Sequence, residues 1–131
     1  MSKCYVFLFI ELLTGTSVAS PCLYIHKSCL ELNNHSSLSA KIECNLLSEV
    51  ISHGKSHSST QLDLGYNDGM GSPEPRQLYC HLSLGQFKQD FNFYNPYWGP
   101  LIAFDLISEQ QLEIRITDGW GAQETNYSFK W

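Results

Sequence analysis

Apolar and polar side chains alternate with a period of two along much of this chain. In Ser37-Leu-Ser-Ala-Lys-Ile-Glu-Cys44, residues Leu38, Ala40, Ile42 and Cys44 fall on one face and Ser39, Lys41 and Glu43 on the other, as a strand with one buried face requires. Arg76-Gln-Leu-Tyr-Cys-His-Leu-Ser-Leu84 repeats the pattern with Leu78, Cys80, Leu82 and Leu84 aligned. Residues 23–26, 60–66, 87–94, 101–106, 112–117 and 127–131 are further strand candidates. Helix-period apolar spacing is not sustained over any long window, and residues 48–53 offer one helical turn at most. Turn signals fall between the runs at 52–59, 67–75, Leu84-Gly85, Asn95-Pro96, Gly99-Pro100 and Asp118-Gly119. Many short strands separated by such turns predict an all-β chain, a small antiparallel β-sandwich of about seven or eight short strands. Parallel pairing would need helical crossovers for which the pattern has no room.

Composition narrows this picture. A chain of 131 residues with 43% hydrophobic, 13% aromatic and 16% charged residues suits one globular domain with a single core. The net charge of -5 comes without a Lys/Arg cluster, so no nucleic-acid partner is expected. Lys3, the apolar run from Tyr5 to Ile10 and the small residues Ser17-Val18-Ala19 read as a signal peptide over 1–19, although Glu11 interrupts the run and Pro21 crowds the cut. A domain over 20–131, secreted and extracellular, is the consequence. No stretch reaches the roughly 20 apolar residues of a membrane span, so no membrane insertion is expected.

Cys4 would leave with the leader, and Cys22, Cys29, Cys44 and Cys80 would remain. An oxidising compartment makes disulfides their default fate, with three connectivities open to four cysteines. Alternation places Cys44 and Cys80 on the buried faces of their strands, so these two are expected to bond across the core, leaving Cys22 and Cys29 to pair or stay outside the framework. Asn34-His35-Ser36 and Asn126-Tyr127-Ser128 are N-glycosylation acceptor sequences at Asn34 and Asn126.

Candidate chemistry is sparse. His53 and His57 have the i, i+4 spacing of a helical metal pair, but Gly54 and the neighbouring serines favour a loop, and no metal or cofactor is expected. Asp90, Asp105 and Asp118 are the carboxylates available for a hydrolytic pair, but Asp118 precedes Gly119 in an expected hairpin turn, where backbone geometry rather than chemistry asks for an Asp-Gly pair. No serine lies in a Gly-x-Ser-x-Gly elbow, so no catalytic residue is assigned. The segment Phe91-Asn-Phe-Tyr-Asn-Pro-Tyr-Trp98 invites a binding hypothesis, because Pro96 must end the strand and place its neighbours near a loop. Tyr94, Tyr97 and Trp98 are the candidate binding surface, and they could instead close one end of the sandwich.

The order of several segments resembles the plant self-incompatibility S1 proteins, also called S-protein homologues. Cys29 to Cys44 is similar to the family's opening strand, its N-x-L phrase and the strand ending at its first framework cysteine. Gln77-Leu-Tyr-Cys80 resembles the apolar-aromatic-Cys strand, and Lys88-Gln-Asp-Phe-Asn-Phe-Tyr94 the F-D-x-Y strand. Leu112-Glu-Ile-Arg-Ile-Thr-Asp-Gly119 with the terminal Phe129-Lys-Trp131 is similar to the penultimate strand, the acidic-Gly turn and the closing aromatic. The chain departs from the family in having no cysteines over 101–111 and Asn45-Leu-Leu-Ser48 in place of the phrase D-D-L-G. The resemblance implies a secreted β-sandwich acting as an extracellular ligand of a cell-surface receptor protein. A carbohydrate-binding module using the exposed aromatics and a small secreted hydrolase are the alternatives from other classes.

Overall fold

The computed structural model describes residues 27–45, 49–66 and 74–131. The expected leader over 1–19, Cys22, the strand candidate over 23–26 and most of the 67–75 turn lie outside the described residues. Nine strands follow one another: β1 (Lys27–Asn34), β2 (Ala40–Asn45), β3 (Glu49–Gly54), β4 (Ser58–Tyr66), β5 (Arg76–Leu84), β6 (Phe87–Asn95), β7 (Leu101–Ser108), β8 (Gln111–Thr117) and β9 (Glu124–Lys130). They form a five-stranded sheet in the order β4-β1-β7-β8-β9 and a four-stranded sheet in the order β3-β2-β5-β6. No helix occurs among the described residues.

The alternation does in three dimensions what it promises in one. Leu78, Cys80, Leu82 and Leu84 of β5 and Leu112, Ile114 and Ile116 of β8 are all buried, while residues between them face outward. Phe104 of β7 sits between the sheets, with Phe91 and Phe93 of β6 edge-on to it at centroid distances of 6.2 and 6.0 Å, a geometry favoured by the ring quadrupoles. Full burial of such a ring contributes on the order of 2 kcal/mol by apolar transfer alone.

Two expectations need correction. Residues 49–54 form strand β3, paired with β2, and no helical turn. Their inward positions Ser52 and Gly54 are small and not apolar, which hides the strand period. The sandwich is not wholly antiparallel, since β1 and β7 run parallel from Cys29↔Leu101 to Asn34↔Leu106. The crossover between them is the whole four-stranded sheet together with β4, so no helix is needed. Asp118-Gly119 lies in the hairpin connection between antiparallel β8 and β9, as expected; β8 ends at Thr117 and β9 begins at Glu124, and the left-handed residue of the connection is Gly121, with φ 74°.

Cys44 and Cys80 are bonded as expected, through inward side chains of two neighbouring strands of one sheet. They are register partners on neighbouring strands β2 and β5, with Cα atoms 4.2 Å apart, close to the spacing of a non-hydrogen-bonded antiparallel pair. Cys29 is also half of a disulfide.

Candidate functional site

Strand directions assign the connections whose residues are described to one of two ends of the sandwich. The 35–39, 55–57, 85–86 and 109–110 connections and Trp131 share one end; the 96–100 and 118–123 connections share the other, where β2, β4, β6 and β8 finish. Tyr94 and Trp98, at 47% and 50% exposure, belong to the second end, as does Trp120 at 66%. Tyr79, 60% exposed, stands on the outer face of β5 close by. Four exposed Tyr and Trp side chains are thus gathered in one half of the molecule.

Each aromatic-bearing segment is braced by a short amide or carboxylate side chain. Asn95 is buried; its Nδ2 donates to Tyr97 O at 2.8 Å and its Oδ1 accepts from Tyr97 N at 3.0 Å. Asp118 Oδ1 accepts from Trp120 N at 3.1 Å and Ala122 N at 2.8 Å. Asn45 Oδ1 accepts from Tyr79 N at 2.7 Å, one residue beyond the disulfide register pair. Such side chains mimic a backbone partner and let a loop hold its shape without packing against another loop.

The structure divides the expected aromatic surface. Tyr94 and Trp98 are exposed, whereas Tyr97 packs against the core and its Oη shares a 2.8 Å hydrogen bond with Thr125 Oγ1. Tyr97 therefore closes the sandwich, while Tyr94 and Trp98 are left facing solvent. Sequence reasoning passed over Tyr79 and Trp120. For Tyr79 the signal was present, since the alternation that buries Leu78 and Cys80 turns Tyr79 outward.

On the outer face of the four-stranded sheet, Gln77 Nε2 donates to Asn92 Oδ1 at 2.9 Å. Gln77 is the register partner of Tyr94, and Asn92 that of Tyr79. The two tyrosines are therefore diagonal neighbours, at roughly 7–8 Å between Cα atoms, with an amide pair between them. The next row across the face is Ile51, Glu43, His81 and Asp90. His81 Nδ1 is hydrogen-bonded to Asp90 Oδ1, and both side chains are open to water. Lys41 Nζ, 2.7 Å from Glu43 Oε1, holds the Glu43 carboxyl below its ordinary range, with His81 and His53 adding smaller contributions.

The opposite outer face, on the five-stranded sheet, is acidic. Asn33 Nδ2 bridges Glu31 and Asp105 at 3.2 and 2.7 Å, and Arg115 reaches within 3.8 Å of both Glu31 and Glu124. Asp90, Asp105 and Asp118, weighed for hydrolysis, consequently lie on three separate surfaces: the four-stranded face, the five-stranded face and the loop end. His53 is on strand β3 and His57 in the following turn, so the helical pair does not form. Among the described residues no group of three or more His, Cys, Asp or Glu side chains is arranged to hold a metal ion.

The two acceptor sequences differ sharply. Asn34, 1% exposed, donates through Nδ2 to Leu38 O at 2.7 Å, while its Oδ1 accepts from Ser36 N and Ser36 Oγ. Asn126 projects from the outer face of β9 and is exposed.

The segments that carry the family resemblance fall on β1 and β2, β5, β6, β8 and the end of β9. Comparison with known proteins adds no relative to it: no family profile, curated protein or solved structure matches the chain.

Proposed function

We propose that this protein is a secreted recognition ligand, similar to the plant self-incompatibility S-protein homologues, that presents the aromatic end of its sandwich to a cell-surface receptor protein. The observation that carries the reading is the gathering of Tyr79, Tyr94, Trp98 and Trp120 in one half of the molecule, on segments braced by Asn45, Asn95 and Asp118. Tyr and Trp supply large contact area at low entropic cost and dominate protein interfaces. Pre-braced loops lose less freedom on binding. The resemblance supplies the extracellular setting and the class of partner.

A panel of plant cell-surface ectodomains is the test. Saturable binding to one of them is expected, weakened at least tenfold by joint Trp98→Ala and Trp120→Ala replacement with the melting temperature unchanged. Binding that ignores both tryptophans, or no secretion under the chain's own leader, would overturn the reading.

A carbohydrate-binding role has one specific observation in its favour. Tyr79 and Tyr94 flank the Gln77–Asn92 amide pair on the outer face of the four-stranded sheet, a combination able to stack on a sugar ring and hydrogen-bond its hydroxyls. A glycan array separates the two: retention lost in Tyr79→Ala but kept in Trp120→Ala would favour the sugar.

A further inference from the structure

We infer that Asn126 is the residue of this chain that carries an N-linked glycan, and that Asn34 stays unmodified although its sequence qualifies equally. The inference rests on the secretory setting proposed above. In the transfer, the Asn Nδ2 forms a bond to the anomeric carbon of a lipid-diphosphate-linked oligosaccharide. The bond from that carbon to the phosphate oxygen breaks, the lipid diphosphate leaves with the electron pair, and the amide loses one proton.

Asn34 cannot accept a sugar and keep this fold. Its Nδ2 donates to Leu38 O at 2.7 Å and faces Gly54 O at 3.4 Å, and its Oδ1 holds Ser36 N and Ser36 Oγ. The amide is thus the centre of the 35–39 corner that carries the chain from β1 to β2. A glycan on Nδ2 would remove a donor hydrogen and drive a bulky polar group into a site that is 1% exposed. Ser36, the hydroxyl residue of the same sequence, is buried as well. A chain modified there loses its corner and its route to the folded state.

Asn126 is free of every such obligation. It stands in the middle of β9, the last strand of its sheet, opposite Arg115 of β8. Its side-chain amide makes no hydrogen bond to any described residue. Beside it runs an open trough of about 330 Å³ lined by Asp105, Glu113, Arg115 and Ser128. Carboxylates, a guanidinium and a hydroxyl are suited to the hydroxyl and acetamido groups of a first sugar, so the glycan has polar ground to lie on. It would lie on the five-stranded face, away from Tyr79 and Tyr94 on the four-stranded one.

The experiment replaces residues 1–19 with an established secretion leader and expresses the chain in a eukaryotic host, so that entry to the pathway does not depend on the native leader. A parallel expression with the native leader tests the secretion reading by itself. Medium protein is expected to carry one glycan, removable by peptide N-glycosidase, with the mass tag of deglycosylation at position 126. Asn126→Gln and Ser128→Ala should each abolish it while secretion continues. Asn34→Gln is expected to lower secretion without removing the glycan from whatever is released. An unmodified Asn126 in protein recovered from the medium, or a glycan on Asn34 of folded protein, would overturn the inference.

Discussion

The two ends of the sandwich solve the same problem differently. At the end holding Trp131, loops are tied to one another: Ser37 N and Oγ both donate to Glu109 Oε1, and Trp131 donates through Nε1 to Glu109 O and through N to Gln110 O. Phe87 stacks on Trp131 at 5.9 Å, and Leu38 and Leu84 line the hollow beside them. The β5–β6 connection there has only Gly85 and Gln86, with Gly85 at φ 60°. At the other end the 96–100 and 118–123 loops are braced by Asn95 and Asp118 from their own segments and Tyr79 by Asn45 of the neighbouring strand, Tyr97 and Tyr127 tie β6 and its loop to β9, and Tyr79, Tyr94, Trp98 and Trp120 are left exposed. Loops tied to each other cannot change without disturbing the fold. Loops braced from within can vary at their outer surface, which is where a rigid scaffold carries recognition.

The largest effect should come from the disulfide. Cys44 and Cys80 are the last register pair of β2 and β5 before the braced end, and 36 residues separate them. A loop of that length is worth about 4 kcal/mol in the chain-entropy model. Joint Cys44→Ala and Cys80→Ala replacement should lower the denaturation midpoint accordingly. Amide exchange should quicken most at Tyr79 and its neighbours and least around Glu109. Equal loss of protection at both ends would break the distinction between them.

Next come the braces. Asn95→Ala leaves the amide and carbonyl of partly buried Tyr97 without their side-chain partner, a cost of about 1 kcal/mol, and should reposition Trp98 enough to change its fluorescence maximum. Asn34→Ala is expected to cost as much at the tied end without moving that maximum. A spectral shift from Asn34→Ala would mean that the two ends are not independent.

Much of this was legible beforehand, and the limits have physical causes. β5, β6 and β8 announce themselves because large apolar residues recur at alternate positions, as Leu78, Leu82 and Leu84, as Phe91 and Phe93, and as Leu112, Ile114 and Ile116. β3 does not, since Ser52 and Gly54 occupy its inner face. The β1–β7 pairing was invisible because local alternation fixes which face is buried, never which distant strand lies alongside. At the site, Pro96 correctly marked the end of β6 and the exposure of Trp98. The pattern leaves open whether Tyr97 faces solvent or closes the sandwich, because its partner, Thr125, comes from a strand far along the chain. Trp120 was overlooked because Asp118-Gly119 reads as a tight turn, whereas the Asp118 carboxylate organises a longer loop around it.

A smaller contrast compares rings. Phe87 and Trp98 are both substantially exposed, yet Phe87 stacks on Trp131 and Trp98 has no ring partner among the described residues. Phe87→Ala should destabilise by roughly 1 kcal/mol, the scale of an aromatic pair. Trp98→Ala should stay within about 0.5 kcal/mol of the parent, as a surface substitution does. Urea titration of the two variants side by side checks both, and a larger loss from Trp98→Ala would assign that ring to the fold and remove it from the recognition surface.

The smallest expected effect sharpens the tied end, and it depends on pH. The hydrogen bonds from Ser37 hold the Glu109 carboxyl below its ordinary value, with the backbone amide of Glu109 itself adding to the shift. A depressed folded-state pKa means that the unfolded chain takes up the proton first as pH falls. The contribution of Glu109 is therefore fully present above the unfolded carboxylate range and is lost as pH drops through the lower, folded value. Glu109→Gln keeps an oxygen that can accept from Ser37 but removes the charge. Parent and variant should differ in melting temperature near neutrality, and the gap should narrow in acid as the parent carboxyl protonates. The site is open to water, so the gap stays modest even where it is widest. Melting curves of both proteins from pH 7 down into the acid range measure it, and a gap that is constant or widens with acid would show that Ser37 and Glu109 do not clasp the loops through the ionised carboxylate.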